Sequence, residues 1–318
     1  MLRREDDRFL RGRGRYLADI DVPRALHAVF VRSPHAHADI QAIDAAPALA
    51  MAGVVAVWTG ADVARHATTL RMAPPIEGLK PVDVSPFPVD KVRFVGDLVA
   101  VVVAERHDIA LDAAEQVAVT YRQRTAAPGM AEAGEPVDPG LPTNLVSHQT
   151  FTNGDLRATF AQAERIVESR FAQGRQTHMP LEPRGVIAEW DEGRRHLTVR
   201  LGNQAPHPLR SALAARLGLA ESAVTVVSPD MGGGFGQKIA LLREELAVAA
   251  LARALGRPVR WQETRGENLI ASLHAREETI ITRAAVTREG QILGLEAWME
   301  ADVGAYCFFP AKDRKSVV

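Results

Sequence analysis

Cysteine is almost absent from this sequence. Cys307 is the single cysteine among 318 residues. The chain therefore cannot form an internal disulfide, a four-thiolate zinc site or an iron–sulfur cluster of its own. Any redox cofactor that it carries must be held by other groups.

An excess of charge and long apolar runs are also missing. The 38 lysines and arginines are balanced by 39 aspartates and glutamates, so no positive excess exists to neutralise the phosphates of a nucleic acid. The longest aliphatic stretches, among them residues 98–104, have only seven residues, whereas a membrane-spanning helix needs about 20 apolar residues. Arg3 and Arg4 are followed by acidic residues 5–7 instead of the apolar segment of an export signal. We therefore expect no membrane span and a cytoplasmic location.

The composition that remains is typical of a globular protein with both helices and strands. Apolar residues make up 47% of the chain and charged residues 24%. The length suggests two domains, at roughly 150 residues each. Valine-rich runs predict strands over residues 26–31, 53–59 and 98–104, and residues 107–116 and 117–121 follow as a helix and a strand. The run at 98–104 lacks polar alternation, which is typical of a strand buried on both faces.

Proline and glycine alternate in the middle of the chain. Residues 122–150 contain few side chains able to pack into a core. This composition predicts an extended connection between two domains. The alternating residues are Pro128, Gly129, Gly134, Pro136, Pro139, Gly140 and Pro142.

Two successive strand–loop–helix units follow. The first has a strand at 197–201 and a loop at 202–206, and a helix then carries leucines at four-residue spacing until Gly218. The second has a strand at 223–227, a loop at 228–236 and a helix predicted over 237–255. If the two strands run parallel in one sheet, both loops emerge at the edge where open α/β sheets bind ligands.

The second loop contains the most informative stretch of the chain. Residues 231–238 read MGGGFGQK. A fold keeps consecutive glycines where a Cβ would clash or where φ must be positive. Their N–H groups could also point at an anion or a metal oxo group. The phosphate-loop and dinucleotide patterns both fail, because Gln237 stands where each requires another residue. Spacing alone leaves open a turn that serves only tight packing.

Gln204 lies in the first loop, at the same predicted edge. A glutamine in a loop usually faces water. Its predicted position beside the glycine loop would instead let its amide donate to a cofactor oxygen.

Several ordered motifs carry a resemblance to a known family. The chain resembles the large, molybdenum-binding subunit of the xanthine dehydrogenase and aldehyde oxidase family. It is more similar to the bacterial three-subunit branch that includes carbon monoxide dehydrogenase. The motifs are GRGRY at 12–16 with Asp19 and Ile20, RSPHAHA at 32–38, VGDLVA at 95–100, LEPRG at 181–185, GNQ at 202–204, GGGFGQK at 232–238 and ADVGAY at 301–306.

The resemblance implies an α+β fold and a set of cofactor contacts. Residues 1–122 would form the α/β hammerhead domain, residues 123–143 an extended linker, and residues 144–310 the first part of a molybdopterin-binding domain. Gln204 matches the glutamine that hydrogen-bonds an oxo ligand of molybdenum. Phe235 and Gly236 match residues whose backbone contacts the metal centre, and Gly233 and Gly234 would shape that loop.

The same resemblance implies an oxidoreductase with partner subunits. It would hydroxylate or oxidise a small substrate at a molybdenum–molybdopterin centre, in bacterial relatives usually the cytosine dinucleotide form. Electrons would leave through a [2Fe–2S] subunit and an FAD subunit, in a dimer of heterotrimers. The near absence of cysteine agrees with clusters held on a partner. The alternative is a non-catalytic module that holds a phosphate or nucleotide at 232–236.

Two departures from the family pattern qualify these expectations. Ile239 stands where purine-oxidising members have glutamate, which argues against a purine substrate. The sequence also stops before the glutamate that serves as the general base. We therefore expect a truncated chain, inactive alone, poorly soluble or molten, with a non-native tail at 311–318 and no catalytic residue of its own.

Three polar residues have simpler explanations. His35 and His37 would share one face of a strand and could chelate a metal, but no third ligand is near them in the sequence, so we interpret them as structural. Glu182 is expected to form a hydrogen bond or an ion pair instead of reacting.

Overall fold

The computed structural model describes residues 4–71, 83–127, 129, 135–136 and 142–306. The chain divides into two compact units. Within the described residues, the first unit comprises 4–71, 83–124 and 178–272, and the second comprises 125–127, 129, 135–136, 142–177 and 273–306.

Both units contain strands and helices. The strands are β1 (Leu26–Arg32), β2 (Ala38–Asp44), β3 (Val54–Thr59), β4 (Leu70–Arg71), β5 (Asp83–Val84), β6 (Lys91–Val92), β7 (Leu98–Ala104), β8 (Ala118–Gln123), β9 (Arg165–Gln173), β10 (Gln176–Thr177), β11 (Gly185–Asp191), β12 (His196–Arg200), β13 (Val224–Val227), β14 (Val259–Gln262), β15 (His274–Ala275), β16 (Glu278–Val286) and β17 (Ile292–Ala301). The helices are α1 (Asp6–Leu10), α2 (Ala46–Leu49), α3 (Gly60–Val63), α4 (His107–Glu115), α5 (Leu156–Ala161), α6 (Pro206–Leu217), α7 (Arg243–Leu255) and α8 (Arg265–Ala271). This mixture confirms the predicted α+β class. Among the described residues, no helix combines the length and the apolar character that crossing a membrane would require.

A seven-stranded sheet forms the centre of the first unit. Its order is β13-β12-β11-β14-β1-β7-β3. β12 pairs with β13 and β1 with β14 in parallel, and the other neighbours are antiparallel. Every residue of β7 is buried, which confirms the prediction from its continuous apolar run.

Smaller elements cover β7 on its two faces. Helices α2 and α4 pack on Ala100 and Val102 through Ala48 and Ala113. The three-stranded sheet β6-β2-β8 packs on Val99 through Ala38 and Val92. Because successive residues of a strand point to opposite faces, both sets of β7 side chains are buried in apolar surroundings.

The two predicted strand–loop–helix units are present in the first unit. Strands β12 and β13 are parallel neighbours, with Leu197 opposite Val224. α6 follows β12 and ends at Gly218, whose φ of 63° is the left-handed conformation of a helix C-cap. The loops after β12 and β13 therefore leave the sheet at one edge, as predicted.

The prediction that the second helix starts at Gln237 is wrong, because α7 starts at Arg243. The side-chain carboxyl group of Glu245 accepts a hydrogen bond from the N–H of Leu242, 3.0 Å away, and this contact caps the helix there. Residues 237–242 continue the loop instead, since the side chains of Gln237 and Lys238 are drawn into buried polar contacts. The glycine loop consequently does not lie at a helix N-terminus.

The second unit is built on a three-stranded antiparallel sheet in the order β17-β16-β9. Helix α5 packs on this sheet, where Gly294 of β17 lies against Thr159. The short strands β10 and β15 form a separate antiparallel pair.

The predicted domain boundaries at 122 and 144 stay a prediction. Strands from both sides of that division pair in the central sheet, because β1, β3 and β7 precede it and β11–β14 follow it. Much of the expected linker, together with Cys307 and the expected tail at 311–318, lies outside the described residues.

Candidate functional site

The loops after β12 and β13 contact each other through hydrogen bonds. The side-chain Oε1 of Gln204 accepts from the N–H of Gly236 at 3.0 Å. The backbone N–H of Gln204 donates to the carbonyl of Lys238 at 2.8 Å. The structure therefore places Gln204 beside the glycine loop, as predicted from the two parallel strands.

A tight turn forms the tip of the glycine loop. The N–H of Gln237 donates to the carbonyl of Gly234 at 2.8 Å. The two residues between them have positive φ, 50° at Phe235 and 97° at Gly236, as in a type I′ turn. A left-handed conformation at a residue other than glycine costs roughly 1–2 kcal/mol. Strain of this kind concentrates at functional sites, and the Phe235 side chain is 69% exposed here.

A side chain at any of the consecutive glycines would meet a close neighbour or a disfavoured backbone conformation. A Cβ on Gly234 would lie 2.6 Å from Oε1 of Gln204, and a Cβ on Gly232 would lie 2.6 Å from the Cβ of Glu182. Gly233 has a φ of 100°, which favours glycine. Both reasons expected for the consecutive glycines, steric and conformational, are thus present.

Several N–H donors at this tip remain available for a ligand. Within the described part of the chain, the backbone N–H groups of Gly233, Gly234 and Phe235 donate to no other residue. The bond from Gly236 occupies Oε1 of Gln204, so the side-chain Nε2 forms no hydrogen bond with a described residue. An amide nitrogen carries two donors. The tip therefore offers backbone and side-chain donors to a ligand with several hydrogen-bond acceptors.

Glu182 and Lys238 hold the base of the loop. Oε2 of Glu182 accepts from the N–H of Gly232 at 2.8 Å and from Nζ of Lys238 at 2.9 Å. The N–H of Glu182 donates to the carbonyl of Gly232 at 3.1 Å. The expected ion pair or hydrogen bond of Glu182 is confirmed, although the sequence did not identify its partners.

Gln237 is buried and anchors the glycine loop, a role that the sequence did not indicate. Its Nε2 donates to Oγ of Ser272 at 2.8 Å, and its Oε1 accepts from Nδ2 of Asn268 at 2.9 Å. Nδ2 of Asn268 also donates to Glu263 at 2.7 Å. The loop is thereby connected to a cluster of buried charges.

The centre of that charge cluster is Arg184. Its guanidinium donates to Glu263 at 2.6 and 2.9 Å and to Glu244 at 2.9 and 3.1 Å. Arg32 bridges Glu244 and Glu267. Burial opposes ionisation of Glu244, but the positive charges of Arg184 and Arg32 outweigh it and hold the pKa of Glu244 below its usual range.

Glu245, the next residue, behaves in the opposite way. Burial raises the pKa of its carboxyl to about 7, against the opposing effects of Arg184 and the Leu242 N–H. The neighbouring carboxylates of Glu244 and Glu263 raise this pKa further. Glu245 is therefore a carboxyl that the folded protein keeps protonated in mildly acidic solution.

The two histidines considered as metal ligands lie in the turn between β1 and β2, not on a strand. Nδ1 of His35 contacts Nε2 of Gln123 at 3.2 Å. The described residues include no group of three or more histidine, cysteine or acidic side chains placed to hold a metal ion. His178 lies nearer the candidate site, since a Cβ on Gly236 would be 3.5 Å from its Nε2. No sequence signal identified His178.

Comparisons with known proteins match both halves of the chain. Residues 11–125 match the model of the aldehyde oxidase and xanthine dehydrogenase a/b hammerhead domain, and residues 137–313 match that of the molybdopterin cofactor-binding domain. The chain is 39% identical to the nicotine 6-hydroxylase large subunit of Paenarthrobacter nicotinovorans, covering 96% of this chain and 38% of the relative. It is 36% identical to the carbon monoxide dehydrogenase large chain of Hydrogenophaga pseudoflava, over 97% and 40%.

Solved structures agree with these matches. The crystal structure of quinoline 2-oxidoreductase from Pseudomonas putida 86 superposes with a TM-score of 0.93 at 39% identity, covering 96% of this chain and 39% of that chain. The sequence thus spans about two fifths of the length of the relatives that it matches.

Proposed function

This chain belongs to the aldehyde oxidase and xanthine dehydrogenase family, and on that premise we propose that it is part of the large subunit of a molybdenum hydroxylase. The intact protein would be an oxidoreductase that hydroxylates or oxidises a small substrate. Gln204, Gly233, Gly234, Phe235 and Gly236 would hold the molybdenum–molybdopterin cofactor. The observation that carries this proposal is the hydrogen bond from the N–H of Gly236 to the side chain of Gln204. This bond holds the Gln204 amide next to the N–H donors of the glycine loop.

The donor set suits the oxygen-rich surroundings of such a metal centre. When bound, molybdenum with molybdopterin supplies two-electron redox chemistry and a water-derived oxygen. The chain supplies orientation and hydrogen bonds. Nε2 of Gln204 would donate to an oxygen ligand of molybdenum, and the backbone N–H groups of Gly233, Gly234 and Phe235 offer further donors. The missing Cβ atoms at 233 and 234 make room for the side chains of Phe235 and Gln204, which those Cβ atoms would meet at 2.8 and 2.6 Å.

A phosphate-binding module is the weaker candidate. Such sites combine a glycine-rich loop with the positive end of a helix. Here α7 starts at Arg243, beyond the loop, and Lys238 is paired with Glu182. The loop thus lacks both the helix N-terminus and the available lysine on which a phosphate site would depend.

The domain division is proposed along the family pattern. Residues 1–122 would form the hammerhead domain, 123–143 the linker and 144–310 the first part of the molybdopterin-binding domain. The matched ranges 11–125 and 137–313 support this division.

We assign cofactor binding, and not proton transfer, to the glycine loop. We expect the general-base glutamate from a part of the large subunit outside this sequence.

Partner subunits are proposed for electron transfer. The single cysteine cannot hold an iron–sulfur cluster, so we propose a [2Fe–2S] subunit and an FAD subunit, assembled as a dimer of heterotrimers in the cytoplasm. The names of the nicotine and carbon monoxide enzymes, large subunit and large chain, support a multi-subunit assembly. The cofactor would be the cytosine dinucleotide form.

The substrate class is proposed to be an aromatic nitrogen heterocycle other than a purine. Two relatives at 39% identity are named for nicotine and quinoline. Ile239, in place of the glutamate expected for purine oxidation, argues against purines.

Molybdenum content tests the binding role of Gln204. The whole protein, made with its partner subunits, should contain molybdenum in proportion to this chain. Gln204→Glu keeps the acceptor for Gly236 but replaces the Nε2 donor with an acceptor-only carboxylate. We expect a roughly 10–100-fold loss of metal affinity, the range for residues that orient a metal centre.

The matched control is Gln291→Glu. Gln291 is exposed in the turn between β16 and β17, so this variant should retain its molybdenum. A correctly folded wild-type protein without molybdenum would refute the proposed function.

A further inference from the structure

We propose that Glu182 is a positioning residue that sets the geometry of the glycine loop, an inference that rests on the proposed function. One carboxylate oxygen of Glu182 contacts both ends of residues 232–238. It would fix the spacing of those ends and thereby the direction of the donors at the tip.

Glu182 forms hydrogen bonds with both Gly232 and Lys238, and we call this set of contacts the clamp. Oε2 of Glu182 accepts from Gly232 at 2.8 Å and from Nζ of Lys238 at 2.9 Å. The backbone of Glu182 adds a third contact, its N–H donating to the carbonyl of Gly232 at 3.1 Å. Three hydrogen bonds from one residue thus join the first and last positions of the loop.

The clamp continues directly to Gln204. The carbonyl of Lys238, whose ammonium group is held by Glu182, accepts the backbone N–H of Gln204 at 2.8 Å. The side chain of Gln204 then accepts from Gly236 at the tip. A shift of Lys238 would consequently move both the backbone and the side-chain contact of Gln204.

Glu182 itself is carried on an anchored segment. The guanidinium of Arg265 donates to the carbonyl of Pro180 at 2.7 Å and to that of Leu181 at 2.9 Å. On the other side, Arg184 is fixed by Glu244 and Glu263. The carboxylate therefore projects from a stretch of backbone that is held before and after it.

A carboxylate at position 182 matches both contacts and the charge of Lys238. Both partners are donors, and an ionised carboxylate accepts from both. The amide oxygen of a glutamine could accept from both donors, but it is uncharged and would leave the buried Lys238 ammonium without its counter-ion. Space is also limited, because the side chains of Lys238 and Glu182 are 2% and 15% exposed. A Cβ on Gly232 would lie 2.6 Å from the Cβ of Glu182.

The experiment compares Glu182→Gln with the double variant Glu182→Leu/Lys238→Met in the whole protein. The double variant leaves no unpaired buried charge, so it keeps the test valid if Glu182→Gln fails to fold. Glu182→Asp is the conservative variant. Glu221→Gln, which removes an exposed ion pair with Arg210, is the matched control.

Three readouts separate positioning from general stability. Amide hydrogen exchange of Gly232, Gly236 and Gln237, whose N–H groups are hydrogen-bonded, should rise roughly tenfold or more in Glu182→Gln and in the double variant, while exchange in β7 and α7 stays at the wild-type rate. Molybdenum content should fall in parallel, and the paramagnetic resonance spectrum of the remaining molybdenum should change. In Glu182→Asp, all three readouts should return part of the way to the wild-type result.

Wild-type exchange in the loop together with wild-type molybdenum content would overturn the proposal. A uniform rise of exchange across the central sheet would also overturn it, since Glu182 would then act on stability alone. If the wild-type protein contains no molybdenum, the proposed function fails, and the exchange comparison still decides whether Glu182 holds the loop.

Discussion

Gly234→Ala should damage the candidate site while leaving the fold almost intact. A Cβ at this position would lie 2.6 Å from Oε1, 2.7 Å from Cδ and 2.9 Å from Cγ of Gln204. All three atoms belong to one exposed, flexible side chain. The side chain can therefore swing away, and the change breaks its hydrogen bond with Gly236.

The expected energies are small and nearly cancel. Loss of one ordinary hydrogen bond costs about 0.5–1.5 kcal/mol. Replacing glycine by alanine where the backbone allows it stabilises a protein by about 0.4–1 kcal/mol, and Gly234 does not have positive φ. The free energy of unfolding should thus change by less than about 1 kcal/mol, whereas the Gln204 amide is displaced from the tip.

Denaturant unfolding and molybdenum analysis of the same preparations provide the assay. Gly174→Ala is the neutral control, because a Cβ there would meet nothing within 4 Å and φ is not positive. Gly232→Ala is the destabilising control, since its Cβ would meet the Cβ of Glu182 near the backbone, and overpacking of this kind costs about 1–3 kcal/mol. A Gly234→Ala protein that retains full molybdenum, or one that loses more than about 2 kcal/mol of stability, would contradict this reasoning.

Two further predictions concern the buried charges. The pKa of Glu245 is raised to about 7 in the folded protein, whereas the unfolded chain loses this proton near the usual pKa of a glutamate. The free energy of unfolding should therefore fall as pH rises from about 4.5 towards 7. Glu245→Gln should flatten this pH dependence in urea titrations, and an unchanged slope would refute the assignment. Arg184→Met should destabilise the protein by roughly 3–5 kcal/mol in the same assay, because it leaves Glu244 and Glu263 without their main partner. The control Arg210→Met removes an exposed pair and should cost less than about 1 kcal/mol.

Features with a local cause could be predicted from the sequence. The buried strand at 98–104 followed from an apolar run, and the end of α6 at Gly218 followed from glycine after a leucine stripe. The meeting of Gln204 with the glycine loop required only that two successive strands be parallel. Each of these predictions depended on neighbours in the sequence or on one simple assumption about the sheet.

Features caused by distant contacts could not be predicted in the same way. Glu244 and Glu245 resemble acidic residues that favour a helix N-terminus, and nothing nearby indicates that Arg184 pairs with Glu244. The true start of α7 depends on the side chains of Gln237 and Lys238, which are held by Ser272 and Glu182. Propensity alone favoured helix at these positions, and tertiary contacts prevented it.

The pairing of β1 with β14 restricts how such proteins can be recombined. Leu26 lies opposite Val259 in a parallel register. The first hundred or so residues therefore extend the sheet to which the segment with the glycine loop belongs. A chimera that takes its opening segment from one relative and the remainder from another would have to match the side chains along this seam. We expect chimeras of homologues to succeed when β1 and β14 come from the same parent. A junction in the proline-rich stretch, which separates the halves in the sequence, would take the two strands from different parents.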